Sequence, residues 1–202
     1  MNNDTPAAIL KRNLWTDNPI FVQILGICST LAVTNNLTNT LIMTLAVTIV
    51  TGLSSTTVSL IKGLIPRKVR MIVQTLIIAF YVILVDIVLR AYIPEISKAL
   101  GPYVGLIITN CIIMGRAEAF AQSNPPVMAL WDGLTSGVGY MAVLVIIATI
   151  RELLGAGTLM GYQVLGDGFT TWTIMVMPPS AFFLLGSFIW AAKSIMIKKE
   201  AS

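Results

Sequence analysis

Two cysteines, Cys28 and Cys111, are the only thiols in the 202 residues, and the chain has no histidine. Without imidazole there is no usual proton shuttle, haem ligand or general base. Cys28 stands in G-I-C-S-T and Cys111 in T-N-C-I-I, each near the middle of an apolar stretch and flanked by small or polar residues. The residues alone leave three readings open. Both cysteines pack as small hydrophobes, they form a disulfide, or they hold a metal. A disulfide is the weakest of these at membrane depth. A tetrahedral zinc or an iron–sulfur cluster takes four ligands, so two thiols make half a site. A second chain must then supply the other half.

The charged residues are the other candidates. Arg116 and Glu118 follow Cys111 in N-C-I-I-M-G-R-A-E. They are two apart, so on a helix they point to different faces and do not pair with each other. Arg116 lies five residues beyond Cys111, about 7 Å along a helix at 1.5 Å per residue. Ionisable groups at membrane depth are candidates for function. For Arg116 the functional reading is tuning of a nearby metal group or ordering of an interrupted helix, and for Glu118 contact with a partner chain. The opposing reading ends the span near Gly115 and sends both side chains to the headgroups. Asp86 and Arg90 are four apart and pair along one helix face, a structural role. Asp132, in W-D-G-L, suits a cap or helix–helix contact better than a cation path, because one carboxylate is a weak signal. Arg151 and Glu152 read as an interface anchor, and glycines at 133, 137 and 139 suit close helix packing.

The elements that must position these groups are membrane spans. Hydrophobic residues make up 56% of the chain and charged residues 11%, against roughly 25% charged in a soluble domain. A self-contained soluble enzyme is excluded. A net charge of +4 calls for no nucleic-acid partner, because the basic residues sit at span ends. The first 18 residues lack a long apolar core and a cleavage site, so they are expected to be retained. A span needs roughly 20 mostly apolar residues. Segments 38–61, 71–92, 127–150 and 174–192 meet this readily, and 19–34 and 102–120 less regularly. Six spans put ten basic residues on one side and three (Arg90, Lys98, Arg151) on the other. Both termini are then expected in the cytoplasm, with Trp15, Trp172 and Trp190 near span ends.

The two irregular spans are the first and fourth, and each carries one cysteine. Each is followed by two better spans, which implies two inverted three-helix halves, 1–97 and 98–202, in a single all-α membrane domain. Interrupted spans at matching positions of inverted halves point to a site near the midplane.

The stretches L-G-I-C-S-T-L-A-V-T, G-L-I-I-T-N-C-I-I-M-G-R-A-E-A-F-A, D-G-L-T-S-G-V-G-Y, R-E-L-L-G-A-G-T-L and P-P-S-A-F-F-L-L-G resemble one family. It holds the paired six-span subunits of the sodium-translocating NADH:quinone reductase and the related Rnf ferredoxin:NAD oxidoreductase. The resemblance covers nearly the whole chain. The ending and the short 155–173 loop are closer to the D branch of the quinone reductase than to the E branch of Rnf. The resemblance implies a bacterial inner-membrane subunit of a six-subunit respiratory complex, inactive alone, paired in opposite orientation with the homologous six-span E protein. It implies that Cys28 and Cys111 supply half the ligands of one shared intramembrane 2Fe-2S cluster. That cluster relays electrons between flavins held only by neighbouring subunits. The rival classes are an inverted-repeat secondary transporter and a structural scaffold. A transporter has no need of thiols at both interruptions, and iron content separates the scaffold from the relay.

Overall fold

The computed structural model describes residues 9–10, 13, 18, 20, 22–66, 68–92, 94–155, 157–159, 162–163, 175 and 177–200. Trp15, Trp172 and both chain ends lie outside them, as does most of the 155–173 loop. Seven α-helices are described: α1 (Ile27–Val33), α2 (Leu37–Ile61), α3 (Arg70–Tyr92), α4 (Pro94–Ile108), α5 (Cys111–Arg116), α6 (Pro126–Gly155) and α7 (Pro178–Glu200). A π-helical turn, Ala117–Ala121, continues α5, and a two-residue hairpin pairs Thr158–Leu159 with Tyr162–Gln163. Among the described residues, four segments are long and apolar enough to cross a membrane: Leu37–Ile61, Arg70–Tyr92, Gly101–Ala121 and Pro126–Gly155. They match the second to fifth expected spans.

The core is built on α2 against α6, the most extensive helix contact. Small residues bring the two backbones together. A Cβ on Gly133 would stand 2.9 Å from Gly52 Cα and from the Thr51 carbonyl oxygen, and one on Gly137 would stand 2.7 Å from the Thr48 hydroxyl. Only glycine permits that approach, the small-residue route by which membrane helices gain packing without a hydrophobic driving force. Gly139 turns elsewhere, towards Asn13 and Asn18. The many threonines of α2 are compatible with an apolar surrounding because they bond their own helix. Thr44, Thr48 and Thr51 each donate to the carbonyl four residues back, at 2.8, 2.8 and 2.6 Å. The hydroxyls are thereby satisfied locally.

Helix α3 buries few side chains, among them Gln74, Ile78 and Val82. Its outer face shows Ile72, Leu76, Phe80, Ile83 and Ile87, an apolar surface suited to lipid or to another apolar chain. Asp86 and Arg90 pair along α3 at 2.9 Å, as their spacing predicts.

Arg151 and Glu152 differ from the expected interface anchor. Both are buried, because α6 runs on to Gly155 rather than ending at residue 150. Glu152 Oε2 accepts the Leu37 backbone N–H at 2.6 Å, capping α2. Arg151 donates to the Thr34 hydroxyl and to the carbonyls of Met175 and Met177. Glu152 thus satisfies an orphan N–H at the start of α2, and Arg151 joins the end of α1 to the carbonyls ahead of α7.

Candidate functional site

Each cysteine directly follows a backbone interruption. Helix α4 stops at Ile108, and Asn110 takes an extended conformation with its side-chain oxygen accepting the Ile112 N–H at 3.1 Å. That is an N-cap, so a new helix starts at Cys111 instead of continuing the old one. On the other side Ile24 has φ 53° and Gly26 φ 85°, after which α1 begins at Ile27 with Cys28 in its first turn. The left-handed region is natural for glycine and costly for a β-branched residue. The chain therefore holds strain at Ile24, four residues ahead of Cys28. Local strain of this kind collects at functional sites.

The two interruptions meet. The Gly26 N–H donates to Cys111 Sγ at 2.8 Å across 85 residues of sequence. A Cβ on Gly26 would lie 2.8 Å from Tyr140 Cε2 and 2.9 Å from Ile112 Cδ1, so the Gly26 backbone is pressed between α5 and α6. Tyr140 is fully buried. Its hydroxyl hydrogen-bonds Ser29 and lies within hydrogen-bonding reach of the Asn110 side chain, and it stands within electrostatic reach of Cys28 and Cys111. Cys28 is exposed and Cys111 half-buried, so the pair lies at the edge of the chain.

The charged residues beyond Cys111 form a separate buried knot. Arg116 and Asp132 are 3% and 1% exposed. Arg116 grips the Asp132 carboxylate with two donors, Nε at 2.8 Å from Oδ2 and Nη2 on Oδ1. Asn13 closes the knot, donating to Asp132 Oδ1 at 2.9 Å and to Thr135 Oγ1 at 2.8 Å while accepting from Arg116 at 3.3 Å. The Phe120 ring lies 5.7 Å from the guanidinium carbon, adding a cation–π contact. Arg116 and Glu118 diverge as their spacing requires. Glu118 pairs with Arg70 and accepts from Gln74 at 2.8 Å, with a third of its side chain exposed. Asp132 makes a helix–helix contact, as its sequence context suggests.

Relatives of this chain settle its kinship. The family described as "Rnf-Nqr subunit, membrane protein" matches residues 7–189. The chain belongs to the Rnf-Nqr membrane-subunit family. It is 51% identical to the D subunit of the Na(+)-translocating NADH-quinone reductase of Pseudomonas paraeruginosa, over 92% of this chain and 86% of that protein. It is 50% identical to the D subunit of the Yersinia enterocolitica reductase over 95% and 96%.

Sequence reasoning assigned no role to several residues of this Rnf-Nqr chain that the site employs. Gly26, Ser29 and Tyr140 surround the cysteines, and Asn13 and Thr135 complete the ion-pair knot. A tyrosine in the middle of an apolar span was the available signal, since a buried hydroxyl must find a partner. Asn13 gave none, because its partners are over a hundred residues away.

Proposed function

We propose that the chain is the D subunit of a sodium-translocating NADH:quinone reductase in the bacterial inner membrane, relaying electrons through a 2Fe-2S cluster shared with the homologous six-span E protein. The observation that carries this reading is the Gly26 N–H on Cys111 Sγ, which joins the two interruptions that bear the only thiols in the sequence. The residues fit the group. Cys28 is exposed and Cys111 partly so, each opens a helix, and a backbone donor already faces one sulfur. Hydrogen bonds to ligand sulfurs are a regular feature of iron–sulfur sites. Two thiols at the edge of the chain fit a site completed by another chain. Cys28 and Cys111 would hold the cluster together with ligands from the partner, and bound there it would supply one-electron transfer between neighbouring subunits.

The chain's own part is to hold two thiolates at fixed separation and to keep the surrounding backbone rigid. Six spans in two inverted halves, both termini cytoplasmic, give the architecture that sets two such interruptions face to face, and the matched interruptions support it. Of the roles considered for Arg116, ordering the segment after Cys111 suits its surroundings. Its charge is engaged by Asp132, and the pair ties α5 to α6. We assign Glu118, a third exposed beside Arg70, to contact with a partner subunit.

The test is electron paramagnetic resonance with iron quantification on the purified complex, comparing wild type with Cys28→Ala and Cys111→Ala. Loss of the same 2Fe-2S signal in both variants, with other clusters intact, is expected. Unchanged spectra and iron content would return both cysteines to packing and overturn the reading.

A further inference from the structure

The hydrogen bonds around Gly26 have a direction, and it leads to a cysteine. The Gly26 carbonyl accepts from the Ser29 hydroxyl at 2.9 Å and from the Thr30 hydroxyl at 2.8 Å. A serine hydroxyl has one proton. With that proton on the Gly26 carbonyl, the Ser29–Tyr140 hydrogen bond has Tyr140 as its donor. The chain then runs from the Tyr140 O–H to Ser29 Oγ, and from the Ser29 O–H to the Gly26 carbonyl. On the other side of the same residue, the Gly26 N–H donates to Cys111 Sγ. The φ of 85° turns that N–H away from the start of α1 and towards α5. The Tyr140 ring packs on Gly26 as well, leaving no room for a Cβ.

We propose that Tyr140 and Ser29 are positioning residues that hold the Gly26 N–H on Cys111 Sγ and thereby raise the reduction potential of the group bound at the two cysteines. The inference rests on the cluster reading above. The physical reason is electrostatic. A donor aimed at a ligand sulfur stabilises the electron-rich reduced state more than the oxidised one, and hydrogen bonds to the sulfurs are among the protein's levers on cluster potential. A backbone N–H cannot be retuned by its own side chain, so the protein fixes its aim through the carbonyl and φ of the same residue. Tyr140 is suited to this because it is wholly buried, where its hydroxyl has no water to exchange with. The device also links the halves of the site, because the residue that aims the donor lies on α6, the donor precedes α1, and the acceptor opens α5.

The experiment is a redox titration of the purified complex followed by electron paramagnetic resonance, on wild type, Tyr140→Phe, Ser29→Ala and the double variant. Tyr140→Phe keeps the ring against Gly26 and removes only the hydroxyl. Each single variant is expected to shift the reduced-to-oxidised ratio at fixed ambient potential about five- to tenfold towards the oxidised form. Tenfold corresponds to about 59 mV for a one-electron couple. The double variant should shift no further than the larger single one, because both break the same chain. Should Tyr140→Phe not assemble, Ser29→Ala carries the test alone. Unchanged potentials in the variants, or shifts that add in the double variant, would overturn the inference while the cluster signal itself remains. Failure of the cluster reading looks different: no 2Fe-2S signal sensitive to Cys111→Ala in any of these proteins.

Discussion

Replacing Asp132 with alanine leaves a guanidinium buried without its counter-charge, and the size of that penalty can be worked out from the surroundings. Arg116 is 3% exposed, and its donors face Asp132 and Asn13. Breaking a buried ion pair by removing one partner costs about 3–5 kcal/mol, because the remaining charge is stranded. For a chain of this size 1 kcal/mol moves the melting temperature by about 2–4 °C. The expected loss is therefore about 6–20 °C by those figures. The pair itself contributes far less than that. Exchanging both residues for apolar ones of similar volume, Arg116→Met with Asp132→Leu, is expected to recover most of the loss, since such swaps are often neutral. Asn13 keeps two acceptors in that double variant, Thr135 Oγ1 and the Asp132 backbone carbonyl. The assay is the temperature at which the detergent-solubilised complex loses its monodisperse gel-filtration peak, measured for wild type, both single variants and the double. An Asp132→Ala protein melting within about 2 °C of wild type, or a double variant worse than either single, would refute the buried-knot account.

Gly137→Val should separate α2 from α6, because even its Cβ would lie 2.8 Å from Thr48 Cα. An overpacking cost of about 1–3 kcal/mol is expected, read as lower complex yield and melting temperature. Gly186→Ala, with nothing within 4 Å of the added methyl group, is the matched control and should be neutral. Glu152→Ala should lose about 1–2 kcal/mol with the cap on the Leu37 N–H. Glu152→Gln, which keeps an acceptor oxygen, should recover part of that in the same thermal assay. Ile24→Gly should relieve the left-handed strain at φ 53° and raise the melting temperature, the strain being about 1–3 kcal/mol. Glu118→Gln should change stability by less than about 1 kcal/mol, as for other half-exposed ion pairs. Dissociation of the complex by that variant would mark the partner contact.

Composition and run length by themselves determined the class of this protein, because covering a bilayer is a demand on every stretch of about 20 residues. The helices Leu37–Ile61 and Arg70–Tyr92 begin one residue before the expected spans. The two irregular segments also stood out by their polar residues, and Asn110 and Gly26 are the residue types that a cap and a left-handed turn require. Local pairs such as Asp86 with Arg90 followed from helical spacing alone. Tertiary structure decided everything that depends on long-range approach. No local pattern tells that Gly26 faces Cys111, that Tyr140 reaches Ser29, or that Asn13 returns to seal Arg116 and Asp132. The reading of Arg151 and Glu152 as an interface anchor failed for the same reason. A charge at the end of an apolar run suits a headgroup and a neighbouring helix end equally well. Only the packed chain shows that the Leu37 N–H claims Glu152 and that the carbonyls of Met175 and Met177 claim Arg151.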